Sequence, residues 1–106
     1  MAVVKWRKQT WELFNNYVEY ARFEYGEKTA RKWLTEVSLL YERLQKHPLA
    51  YTIEPLLADK RHQYRSCRIM RRFKLIYYYA ANSDSVHIRD IWDTRMSPET
   101  LKRRIK

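Results

Sequence analysis

Between Tyr64 and Arg95 the chain sets cations among core-type side chains. Arg65, Arg68, Arg71, Arg72 and Lys74 stand beside or between Cys67, Ile69, Phe73, Leu75 and Ile76, and the stretch closes on Ile91-Trp92-Asp93-Thr94-Arg95. A strand points successive side chains to opposite faces, so Arg65 shares a face with Cys67 and Ile69 while Arg68 lies opposite. Unpaired cations are costly to bury, so at least one face of this segment is not plain core and suits an anion. Fixed cations stabilise negative charge without calling on a metal or cofactor. Arginine adds bidentate contact with phosphate.

The composition points to the same partners. Lys and Arg number 22 against 12 Asp and Glu, a formal charge of +10 on 106 residues, with much of the excess in residues 61–74 and 102–106. Polyanions are the expected partners: nucleic acid, an acidic protein or, less favoured, an anionic membrane surface. The single glycine removes glycine-rich phosphate loops and the nucleotide-binding enzymes built on them.

Other reactive side chains are sparse. His47, His62 and His87 are scattered and Cys67 is the only cysteine, so no zinc spacing exists and no internal disulfide is possible. Cys67 reads as a small buried residue. His87 suits proton transfer only if it faces the cations, and otherwise it is a solvent-facing strand residue. Asp93 reads as an ion-pair or turn-capping partner of the adjacent Thr94-Arg95. In Tyr77-Tyr78-Tyr79, alternation sends Tyr78 to the face opposite Tyr77 and Tyr79, so core packing and base stacking are divided among the three.

These residues need a scaffold, and the chain predicts a single α+β domain over residues 1–106 in the order β-α-α-β-β-β-α. Residues 2–6 suit an opening strand. Thr10 is a candidate helix N-cap ahead of Trp11, Phe14, Val18, Ala21 and Tyr25, which recur at helical spacing up to Gly26. Ala30, Trp33, Leu34, Val37, Leu40, Tyr41 and Leu44 form a second stripe that Pro48 ends. Residues 49–63 read as a loop with a turn of helix. Strands follow at about 64–71, 73–81 and 86–92, the last two joined by a polar turn. Ser97-Pro98-Glu99 opens a short basic helix. The first residues hold no apolar run long enough for a signal peptide or membrane span, so the cytoplasm is the expected location.

That order, with an aromatic-rich helical hairpin, a Leu44-Gln45-Lys46-His47-Pro48 helix end, Tyr64-Arg65, Lys74-Leu75-Ile76-Tyr77 and Arg95, resembles the RelE/ParE superfamily of toxins from bacterial type II toxin–antitoxin modules. The similarity spans nearly the whole chain. It implies a small antiparallel-rich sheet packed on the hairpin, with a concave basic surface on the other face. It also implies a cognate antitoxin partner. RelE-like members cut ribosome-bound mRNA, and the matching catalytic cations here are Arg65, Lys74 and Arg95. Lys60, Arg61, Arg68 and Arg72 are the accompanying candidates for nucleic-acid binding. Cys67 stands where a second strand cation is found in such nucleases, and no Tyr or His follows Trp92, so the pattern identifies no general acid or base. ParE-like members share the fold but poison DNA gyrase, and a non-enzymatic RNA-binding protein would share the charge. The resemblance implies no cofactor, and its partners are the antitoxin with ribosome and mRNA, or with gyrase.

Overall fold

Gly26 ends one helix and begins the next: its φ of 96° lies in the region that favours glycine, and its N–H donates to the Arg22 carbonyl at 3.0 Å. In a computed structural model describing residues 1–106, it separates α1 (Lys8–Tyr25) from α2 (Glu27–Lys46). Around this hairpin run β1 (Val3–Trp6), β2 (Thr52–Ile53), a 3-10 turn (Pro55–Leu57), β3 (Arg65–Ile69), β4 (Phe73–Ala80), β5 (Ser85–Asp93) and α3 (Pro98–Arg104). The sheet order is β1-β5-β4-β3-β2; β1 is parallel to β5 and every other pair is antiparallel.

The α+β order is as the sequence predicts, with one addition. Thr52 and Ile53, expected in a loop, pair with Ser66 and Arg65 to make a fifth, two-residue strand. So short an element carries no two-residue periodicity to read. The start of α1 also differs. The helix begins before Thr10 and has no side-chain cap, because the Thr10 hydroxyl is used elsewhere, donating to the Arg89 carbonyl at 2.7 Å. Ser97 does cap α3, its Oγ accepting from the Glu99 N–H at 3.2 Å.

One face of the sheet carries the main core. Phe14, Val18 and Ala21 of α1 and Ala30, Trp33, Val37, Leu40 and Leu44 of α2 pack on Val4, Cys67, Leu75, Tyr77, Val86, Ile88 and Ile91. Trp33 and Tyr17 close over Phe73 with ring centroids 4.7 and 4.8 Å away. Three members of the predicted helical stripes stay at its margins. Leu34 is 43% exposed, Trp11 47% and Tyr25 69%, since the sheet covers an arc of each helix narrower than the run of apolar residues.

The opposite face is not the open basic surface that the resemblance implies. Ile76 and Trp92 project there into a second apolar cluster with Leu57 of the 3-10 turn, Tyr64, and Leu101 and Ile105 of the C-terminal segment. The β1–β5–β4 end of that face carries Lys5, Tyr78 and His87. A bulge in β5 decides which residues reach it. The register steps from Ile76↔Asp90 to Tyr77↔Ile88, leaving Arg89 unpaired, so Ile88 and Ile91 both point to the helices while His87, Asp90 and Trp92 take the other face.

The layering gives a direct contrast between adjacent leucines. Leu40→Ala, in the core, should cost about 2–5 kcal/mol of stability. Leu39→Ala, at a position 61% exposed, should stay within about 0.5 kcal/mol. Urea unfolding midpoints of the two variants measure the difference.

Candidate functional site

Arg65, Lys74 and Arg95 occupy three separate places. Across β3 and β4 the partners are Arg65↔Tyr77 and Arg68↔Lys74, so Arg65 lies on the helix side of the sheet and Lys74 on the other. Arg65 donates to the Tyr51 carbonyl at 2.7 Å and to Gln63 at 3.4 Å. Lys74 forms an ion pair with buried Glu54 at 2.8 Å and sits 5.9 Å over the Trp92 ring. Arg95 grips the Asp93 carboxylate with two nitrogens, at 3.1 and 2.8 Å, beside the tip of the helical hairpin. The three candidate catalytic cations therefore do not converge on one site. The sequence places all three near one another along the chain, but pleat alternation and the local carboxylates separate them.

The four accompanying cations divide in the same way. Arg72 shares an aromatic hollow of about 360 Å³ with Arg95, Tyr17, Tyr20, Tyr25 and Trp33. Arg68 donates to the Arg71 carbonyl at 2.8 Å at the outer edge of β3. Lys60 and Arg61 lie in the segment leading into β3, and Arg61 is next to His62. Cys67 is buried, and burial pushes its thiol up to about 12, which makes it inert at neutral pH.

What the β1–β5–β4 end of the sheet does bring together is a stack of three rings. Tyr78 and His87 are register partners across β4 and β5, with ring centroids 4.8 Å apart and planes 9° from parallel. His62 comes from the preceding loop and lies on the other side of Tyr78, at 3.9 Å and 4°. Ser85 Oγ is 2.9 Å from His87 Nε2 and fixes that ring. Lys5, directly opposite His87 on β1, and Trp6, Arg7 and Arg89 line an adjoining hollow of about 460 Å³.

Burial, then the charges of Arg61 and Arg89, lowers the His62 pKa below its ordinary value. For His87 burial again comes first, followed by Lys5, His62 and Arg89. Both imidazoles are thus biased to the neutral form, in which one ring nitrogen accepts a proton. A neutral base beside fixed cations is a combination suited to removing a proton from a hydroxyl next to a phosphate. Of these residues, His87 facing the cations was one of two open possibilities in the sequence. Tyr78 was legible as the odd member of its tyrosine run, whereas nothing local signals that His62 folds back over it.

Glu54 supports the neighbouring wall. Burial alone would raise its carboxyl, but bonds from Lys74, the Leu56 N–H at 3.0 Å and Ser66 at 2.9 Å hold the pKa below the usual carboxylate value. A depressed folded-state pKa contributes stability that is complete above the unfolded value and is lost as pH falls through the folded one. Glu54→Gln should therefore lower stability at pH 7 by about 1–3 kcal/mol. It should also flatten the fall in melting temperature below about pH 4, near the ordinary carboxylate pKa. Melting curves of both proteins across pH 2–7 check this.

The fold has a counterpart among solved structures. A chain of the chromosomal ParDE TA system from P. aeruginosa superposes with a TM-score of 0.67 at 15% sequence identity, over 88% of this chain and 96% of that one. No protein-family model and no curated protein matches the sequence. No helix is long and apolar enough to cross a membrane. The likeness is one of architecture: five strands on a helical hairpin make a RelE/ParE-like fold, as the order of elements in the sequence implies.

Proposed function

We propose that this chain is the toxin of a type II toxin–antitoxin module and that it cuts mRNA on the ribosome through the 2′-OH. Its chemistry centres on the His62–Tyr78–His87 stack. The observation that carries this reading is the pairing of two imidazoles of lowered pKa with Lys5, Arg61 and Arg89 around the same rings. The shared fold supports the toxin part of the proposal. In the step proposed, an imidazole nitrogen takes the 2′-OH proton and the 2′-oxygen bonds to phosphorus. The bond to the 5′-oxygen breaks, and that oxygen takes a proton from solvent. Lys5, Arg61 and Arg89 balance the charge on the nonbridging oxygens, and the outer ring faces are platforms for bases. An acidic antitoxin completes the module by covering the basic surface, with charge steering its approach.

One observation favours the gyrase-inhibitor alternative. Arg65, Lys74 and Arg95 are dispersed and already engaged, so the cations that the resemblance offers for catalysis do not act together. Induced expression separates the readings. The nuclease reading expects cuts within translated codons by primer extension, reduced on the order of 10²–10⁴-fold in His87→Gln. Arg65→Ala, altering the far face, should keep most of the cleavage. With purified ribosomes, the rate should be flat near neutrality and fall only below the ordinary imidazole pKa, because acid protonates the base. Intact messages accompanied by DNA breaks would overturn the nuclease reading in favour of gyrase.

A further inference from the structure

Arg89 stands between two hollows, and the second belongs to no step above. It measures about 220 Å³ and lies between the start of α1, β5 and α3, with Arg7, Thr10, Arg89, Asp90 and Arg104 on its walls and Leu13 as its one apolar residue. Asp90 is only 3% exposed. Its Oδ1 accepts from Arg104, while its Oδ2 is buried with no protein hydrogen-bond partner. Arg89 Nε is buried and unpartnered as well. Unpaired buried groups are uncommon and costly, and here an acceptor and a donor belong to adjacent residues on the wall of one cavity.

The charge is equally unbalanced, with three guanidinium groups around a single carboxylate. An anion is the natural complement. A fully ionised anion such as sulfate satisfies the arginines but sets lone pairs against Asp90 Oδ2. A phosphate with an ionisable oxygen satisfies both, because its remaining proton bridges to the carboxylate. We propose that this cavity binds inorganic phosphate or a terminal phosphomonoester, with Arg7, Arg89 and Arg104 holding its oxygens and one proton shared between phosphate and Asp90 Oδ2. The site excludes an internal phosphodiester, which has no such proton. It stands independently of the nuclease reading, since it needs neither histidine nor ribosome.

The surroundings of Asp90 favour a shared proton. Burial raises its carboxyl pKa, against the charge of Arg104 on α3, hydrogen bonds from the Ile91 N–H and Arg104, and the charge of Arg7 at the β1–α1 junction. Arg89 on its own strand and Tyr17 on α1 are the other titratable groups near it.

Calorimetric titration of the full chain with inorganic phosphate, and with sulfate as the control, tests the site. Saturable phosphate binding is expected, with sulfate about tenfold or more weaker for want of the charge-assisted bond. Affinity for a terminal phosphomonoester should weaken as pH rises through about 6, where its last ionisable proton is lost. Inorganic phosphate, whose dianion still carries a proton, should keep binding through neutral pH. Arg7→Gln should weaken phosphate about tenfold; Arg7 is exposed and makes no side-chain hydrogen bond, so this variant should fold. Asp90→Asn, which brings its own N–H donor, should remove the preference for phosphate over sulfate. A short RNA with a 5′-phosphate, set against the same RNA with a 5′-hydroxyl, distinguishes an RNA terminus from free phosphate as the source. No saturable phosphate binding, or equal binding of phosphate and sulfate that Arg7→Gln leaves unchanged, would overturn the proposal and leave a hydrated cavity.

Discussion

The placement of the functional side chains depends on one extra residue in β5. Strict alternation from Val86 would carry Ile88 to the helices and then send Ile91 to the other side, losing an aliphatic side chain from the main core. The bulge at Arg89 restores it, and both isoleucines are almost fully buried on the helix face. A bulge leaves backbone groups without ladder partners, and these must be satisfied. Here the Thr10 hydroxyl donates to the Arg89 carbonyl at 2.7 Å, and the Arg7 N–H donates to the Ile88 carbonyl at 3.2 Å. The first turn of α1 is thereby fixed to β5. The same irregularity turns Asp90 away from the helices, to the face that His87 and Tyr78 share.

The sequence discloses the parts of this design that rest on periodicity. The α2 stripe from Ala30 to Leu44, the lone glycine at the hairpin and the Ser97-Pro98-Glu99 helix start all describe local geometry, and local geometry is what residue spacing encodes. The apolar spacing Val86, Ile88, Ile91 even carries the signature of the bulge, a step of two followed by a step of three. Thr10 is the instructive miss. A threonine ahead of a helical stripe is an ordinary N-cap, and only the arrival of β5, almost eighty residues later in the chain, gives its hydroxyl a different acceptor. The cations mislead for a related reason. Arg65 and Lys74 look alike in sequence, yet pleat parity puts them on opposite faces, and the buried carboxylate that holds Lys74 comes from the irregular segment before β3.

Several acidic residues are committed to cations away from the ring stack. Glu54 is committed to Lys74, Asp93 to Arg95, Asp90 to Arg104, and Glu19 with Glu27 to Arg22. None of these carboxylates pairs with Lys5, Arg7, Arg61 or Arg89; Lys5, Arg7 and Arg89 line the two adjoining hollows, and the charge of Arg61 acts on His62. Burial first, then the charges of Arg61 and Arg89 at His62 and of Lys5, His62 and Arg89 at His87, lowers the affinity of the two rings for protons. The field of the same cations favours any anion that approaches.

The C-terminal helix has a second consequence for that field. By closing Leu101 and Ile105 over Ile76 and Trp92, it takes that part of the sheet face out of contact with solvent. The remaining opening is bounded on one side by apolar packing and on the other by β1. A polyanion crossing it therefore meets the ring stack and its cations within a narrow strip, and not an even basic surface. The position of Arg104, whose side chain is tied to Asp90 from the last turn of α3, makes the covering helix and the charged strip parts of one arrangement. Loosening α3 would at once expose the apolar cluster and release the cation that Asp90 holds, so the fold couples the integrity of its smaller core to the charge balance beside its candidate site.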